Sequence, residues 1–139
     1  MSGNATVRRR LGPALALALC MPPASAQAPV SLSRDVQPIL DRYCVACHLY
    51  ESPQGGLLLE AGDTHVATVD VPSTQAPLPR VAPGDPERSY LVHKLRGTQL
   101  QVGGSGAPMP FNADTGTSGL ATDERRLIEA WIRAGAPDN

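Results

Sequence analysis

Apolar residues recur at helical spacing in three stretches of this chain. In SLSRDVQPILDRYC, residues 31–44, Val36, Ile39, Leu40 and Tyr43 fall at i, i+3, i+4 and i+7, which predicts one buried helical face. Ser33 is the expected N-cap, and Pro38 must sit early in the helix or kink it. The second stretch, GDPERSYLVHKLRG, offers Asp85 as N-cap, Pro86 as first helical residue, Glu87 against the helix dipole and Gly97 as the stop. On this helix Leu91, Val92 and Leu95 share a face, which predicts a solvated His93 on the opposite side. The third stretch, ATDERRLIEAWIRAGAP, reads as an amphipathic helix capped by Thr122 and ended by Gly135 and Pro137. Leu127, Ile128, Trp131 and Ile132 form its apolar face, and Arg125, Arg126, Glu129 and Arg133 its polar one.

Between these helices lie a proline-rich segment, residues 66–86, and a glycine-rich one, residues 103–119. Neither repeats at a fixed period. The proline-rich segment reads as a surface excursion rather than a shield for a site.

The first 26 residues have another pattern. Arg8 to Arg10 precede the apolar run Leu11 to Leu19, and ASA closes it, as in an export signal cut after Ala26. The run is too short to span a bilayer. Cys20 follows the bulky Leu19, which departs from a lipoprotein cleavage site, so it is assigned to the discarded leader. A membrane tether would require lipidation of Cys20 or a retained leader. Residues 1–26 are thus expected to be a signal peptide, and residues 27–139 a single domain in the bacterial periplasm.

Removing the leader takes three arginines from the 12 basic residues and none of the 13 acidic ones, leaving nine against 13 and a net charge of −4. This balance gives no basic patch for nucleic acid. Lys94 is the only lysine, which excludes a docking surface built from a ring of lysines. Five aromatic residues remain, Tyr43, Tyr50, Tyr90, Phe111 and Trp131, and three short helices so furnished would be aided by a large apolar cofactor.

The chemistry concentrates in YCVACHLY, where Cys44, Cys47 and His48 form a C-x-x-C-H pattern. Three uses compete: covalent haem attachment, a redox-active cysteine pair, or half of a zinc site. A redox pair calls for a strand–helix–strand context that the pattern lacks. Zinc would need His65 or His93 to complete a crowded ligand set. Pattern and export together favour haem c, with the thiols of Cys44 and Cys47 as attachment points and His48 as an iron ligand. The second ligand is expected from Met109, the sole methionine after the leader, in the loop GAPMPF between Pro108 and Pro110. His65, in a loop, remains an alternative.

The ordered landmarks DVQPILDRYCVACH, GGLLLEAGD, VAPGDPERSYLVHKL, PMP and LIEAWIRAGAP resemble the planctomycete-type cytochrome c domain, a short relative of class I c-type cytochromes. The resemblance spans roughly residues 33 to 137. It implies an all-α, class I cytochrome c-like fold of three to four helices around one covalently bound haem. It implies that the first and last helices cross beside the haem, with Val36, Leu40 and Tyr43 facing Leu127, Ile128 and Trp131. It further implies Cys44 and Cys47 as haem attachments, His48 as proximal ligand and Met109 as distal ligand, and a close backbone pass at Gly55 and Gly56. One departure is Phe111 where the family commonly has a second proline; it is expected at the porphyrin edge.

The function expected is single-electron transfer with redox partner proteins, because an iron with two protein ligands leaves no position for substrate. No acid–base pair, nucleophile constellation or phosphate loop accompanies the motif, and Arg80 and Arg88 read as surface charges or haem-propionate partners, the surface reading being preferred for both. The alternatives are a haem enzyme or gas sensor with a labile or absent Met109 ligand, and a haem subunit docked to a larger oxidoreductase.

Overall fold

The computed structural model describes residues 1, 3, 28–112 and 118–139. Apart from Met1 and Gly3, the expected leader, with Arg8 to Arg10, Cys20 and the cleavage site after Ala26, lies outside the described residues. Among the described residues, regular structure consists of helices α1 (Gln37–Tyr43), α2 (Thr64–Thr68), α3 (Tyr90–Arg96) and α4 (Thr122–Arg133), and an antiparallel ribbon of β1 (His48–Leu49) and β2 (Ser52–Pro53). No helix among them is long and apolar enough to cross a membrane.

Helix α1 continues a π-helical turn, Leu32–Val36, and Pro38 sits in the first turn of α1, directly after the wider π turn. The cap is Ser31 rather than Ser33. The Ser31 hydroxyl accepts from the Arg34 N–H at 3.3 Å, and the Asp35 carboxylate accepts from the Ser31 N–H at 2.8 Å. This reciprocal arrangement is a capping box with one residue more than usual, matching the wider turn. The Ser33 N–H is instead engaged by the carbonyl of Asn139, at 2.8 Å.

Helices α1 and α4 run in opposite directions. Arg42 near the end of α1 pairs with Glu124 at the start of α4, at 3.1 Å, whereas Asn139 beyond α4 returns to Ser31 and Leu32. Between those ties Val36, Ile39 and Leu40 join Ile128, Trp131 and Ile132 in one buried cluster, extended by Leu59, Val81, Val92 and Leu95. The Trp131 indole N–H donates to the Pro137 carbonyl at 2.9 Å, so its polar edge is satisfied at the rim of the core. Two expectations need correction here. Leu127 is 39% exposed and takes no part in the cluster, because the buried stripe is centred on Ile128, Trp131 and Ile132. Thr122 is the first helical residue rather than the cap; Ala121 precedes it without a side-chain cap, and Asp123 and Glu124 oppose the dipole.

The stretch expected as one helix from Asp85 to Gly97 divides in two. Asp85 caps a 3₁₀ turn, Pro86–Arg88, its carboxylate accepting from the Arg88 N–H at 3.1 Å. Ser89 is then extended, and its buried hydroxyl accepts from the Ala82 N–H at 2.9 Å and donates to the Asp85 carbonyl at 2.8 Å. These local bonds offer the backbone a partner outside the helix, so α3 starts only at Tyr90. Gly97 ends α3 in the left-handed conformation at φ 73°, as its position predicts.

Candidate functional site

The C-x-x-C-H segment leaves α1 through a tight turn. The Cys44 N–H still donates to the Leu40 carbonyl at 2.8 Å, and the N–H groups of Cys47 and His48 both fold back to the Cys44 carbonyl at 3.1 Å. The turn delivers His48 into β1, where its carbonyl accepts from the Leu59 N–H at 2.9 Å. Gln37 supports this connection from α1: its buried amide donates to the Leu59 carbonyl at 2.8 Å and accepts from the Thr64 hydroxyl at 2.8 Å. The imidazole is therefore held through its backbone on a short, cross-linked segment.

Met109 reaches the site on the loop that follows α3. Its N–H donates to the Lys94 carbonyl at 2.9 Å, and its carbonyl accepts from the Ser118 hydroxyl at 2.7 Å. Both backbone groups of the methionine are thus fixed, on a loop that composition alone would leave free.

Cys44, Cys47, His48 and Met109 all line one cavity of about 540 Å³, a volume usual for small-molecule and cofactor sites. Leu57, Leu59, Leu91 and Leu95 supply apolar wall, and Phe111 stands at it while remaining 55% exposed. Ser73, Thr74 and Gln75 also line it, which corrects the reading of the proline-rich segment as a mere surface excursion. That segment doubles back through bridges pairing Val69 with Val81 and Pro72 with Pro79, and the doubling lays its tip along the cavity. Gly55, part of the wall, and Gly56 both adopt φ 65°, and their carbonyls accept from Arg80 at 3.3 and 3.0 Å.

Burial lowers the pKa of His48, and the positive charges of Arg80 and Lys94 add to that effect. Backbone groups of Leu57 and Gln54 lie near the ring and oppose it in part, yet the enclosed Nδ1 has no partner of hydrogen-bonding geometry. The neutral imidazole is the form a metal requires. Burial, aided by the neighbouring Cys47, pushes the Cys44 thiol up to about 11, the reverse of the activation a redox-active pair needs. Burial also lowers the pKa of both Arg80 and Lys94.

The two other histidines are elsewhere. His65 lies in α2 rather than a loop, its Nε2 bonded to the Ala136 carbonyl at 3.0 Å. His93 is not solvated as its helical position predicts: it is 7% exposed, with Nδ1 on the Thr98 hydroxyl and Nε2 on the Glu87 carbonyl, both at 2.9 Å. Helix α3 is wrapped on most sides, so its polar residues are buried with partners instead of facing water. Neither histidine lines the cavity, and no group of three or more His, Cys, Asp and Glu among the described residues is placed to hold a metal ion.

The donor set fits a covalently held haem: two unpaired thiols, a neutral imidazole and a thioether around one largely apolar cavity. Sequence reasoning missed Lys94 and Tyr90 as parts of this wall, and for Arg80 preferred a surface position over one beside haem propionates. The signal was present in the spacing, since Tyr90, Leu91, Lys94 and Leu95 share a helical face, but a lysine on that face reads as solvated. Comparison with protein-family models, with curated proteins and with solved structures finds no match to the chain.

Proposed function

We propose that the chain is an exported monohaem c-type cytochrome that passes single electrons between redox partner proteins in the bacterial periplasm. One observation carries the reading: Cys44, Cys47, His48 and Met109, drawn from sequence positions up to 65 apart, line the same cavity. In this reading Cys44 and Cys47 hold haem c through thioether bonds, while His48 and Met109 ligate its iron, within an all-α, class I cytochrome c-like domain. The haem would supply a one-electron couple. The protein contributes ligand placement: β1 holds His48, the backbone bonds at Lys94 and Ser118 hold Met109, and Leu57, Leu59, Leu91 and Leu95 exclude water.

The fixed backbone of Met109 favours a permanent ligand over the labile one that a peroxidase-like enzyme or gas sensor requires. The test is an absorption spectrum of protein exported from cells that mature c-type haem. Sharp α and β bands on reduction, with a weak far-red sulfur-to-iron band on oxidation, are expected. Haem without the far-red band would remove Met109 from the iron and turn the work to peroxide and small gases. A mature chain without covalent haem would overturn the reading.

A further inference from the structure

Two cations and no carboxylate stand among the described residues that line the cavity. The cations are Arg80 and Lys94. This is the opposite of the chain's balance, since residues 27–139 hold nine basic and 13 acidic side chains. Lys94, the sole lysine, is only 8% exposed, and no described carboxylate lies within ion-pair distance of it. Its ammonium donates to the Ser105 carbonyl at 3.1 Å and sits 5.9 Å from the centre of the Tyr90 ring. An ammonium has three N–H donors, so this bond leaves two to be directed elsewhere. Burying such a group costs several kcal/mol unless an opposite charge meets it, and a leucine or methionine would fill the same wall without that cost.

Arg80 belongs to the same wall. Its carbonyl accepts from the Leu91 N–H at 2.9 Å, one helical turn before Lys94. Its guanidinium is braced on the carbonyls of Ala67, Gly55 and Gly56, all neutral acceptors, and no described carboxylate lies within ion-pair distance of it. We propose that the occupant of the cavity carries two acid groups and that Arg80 and Lys94 are the residues that receive them. On the haem reading, on which this inference rests, those groups are the two propionates. Each cation then offsets a carboxylate near the iron, and losing it favours the more positive, oxidised iron.

The test compares wild type with Lys94→Gln and Arg80→Gln, and with the charge-keeping Lys94→Arg and Arg80→Lys, all matured with haem. Midpoint potentials come from spectroelectrochemistry, and carboxylate stretching bands from redox-difference infrared spectra. Each glutamine variant is expected to shift the potential downward and move a carboxylate band, and the charge-keeping variant at the same position to restore most of both. Lys94→Met, which keeps the packing of the stem, guards against a folding defect at that position and is expected to behave as Lys94→Gln. Neutral variants with the wild-type far-red band and unmoved potentials and carboxylate bands would overturn the proposal while leaving the cytochrome reading intact. Wild-type protein without covalent haem would overturn both.

Discussion

The backbone N–H of Met109 donates to the carbonyl of Lys94 at 2.9 Å, which ties the methionine loop to the last turn of α3. The same helix turns Leu91, Lys94 and Leu95 toward the cavity. Helix and loop therefore form one unit, and the thioether is placed by structure already fixed on the core. A glycine-rich loop would otherwise carry little restraint of its own.

On the proposed cytochrome reading, Met109→Ala should keep covalent haem, since neither thiol is touched, but lose the far-red band and lower the midpoint potential. Ser118→Ala removes only the hydroxyl that holds the Met109 carbonyl. It should cost about 0.5–1.5 kcal/mol and lower the temperature at which the far-red band disappears. Thermal melts followed in that band and by circular dichroism separate loss of the ligand from global unfolding. An unchanged far-red melt in Ser118→Ala would show that the hydroxyl does not hold the ligand loop.

Gly104 meets Tyr90 too closely for any side chain. A Cβ built there would overlap the Tyr90 ring and stand 2.7 Å from the Gln99 carbonyl. Tyr90 cannot easily give way, because its hydroxyl donates to the Ser105 carbonyl and accepts from the Ser105 N–H, both at 3.1 Å. Gly104→Ala should therefore destabilise the fold by about 1–3 kcal/mol, measured by urea denaturation. Wild-type stability in this variant would mean that the Tyr90 ring moves freely.

The contrast between α4 and α3 shows what sequence pattern can and cannot reveal. In α4 the apolar stripe faces one core and most charges face water, so the pattern predicts the buried Ile128, Trp131 and Ile132, and errs with Leu127, which is exposed, and Glu129, which is buried. In α3 the helix is enclosed on most sides, so periodicity no longer separates inside from outside; His93 is misplaced and the burial of Lys94 goes unforeseen. The start of α3 is obscured in the same way, because the buried hydroxyl of Ser89 decides it through bonds to Ala82 and Asp85. At the site, local spacing is enough to single out Cys44, Cys47 and His48, and the scarcity of methionine points to Met109. The cationic wall depends on how residues 72–80 fold back against α3, which no local pattern encodes.

Arg96 joins α3 to α4 through Glu129, with Nε on the carboxylate at 2.8 Å, and reaches Glu87 at 2.7 Å. Arg96, first by its hydrogen bond and then by its charge, holds the Glu129 pKa below its ordinary 4.5, against the opposing effect of burial. The folded pKa lies below the unfolded one, so this stabilisation is fully present above about pH 4.5 and is lost as pH falls through the folded value. Glu129→Gln should cost about 1–3 kcal/mol at pH 7, and the gap from wild type should narrow steadily below pH 4.5. Urea titrations of both proteins at pH 7 and pH 3 check the sign. A gap that widens in acid would place the stabilising charge elsewhere.

Replacing both Cys44 and Cys47 with alanine tests how far the fold depends on its cavity. The cluster of Val36, Leu40, Ile128, Trp131 and Ile132 lies between α1 and α4, with the partly buried Cys44 packed against it and Cys47 outside it. Leu59 and Leu95, by contrast, belong to that cluster and also line the cavity, so core and site share walls. Without a covalently held occupant the walls contributed by α3, the Met109 loop and residues 73–75 lose their common partner, and interiors tolerate few voids larger than water. The double variant should thus keep helical circular dichroism while its unfolding becomes broad, with a lower denaturant slope than the haem-bearing wild type. A double variant that unfolds as sharply as wild type would show that the α1–α4 cluster sustains the whole domain and that the cofactor adds function without holding the fold.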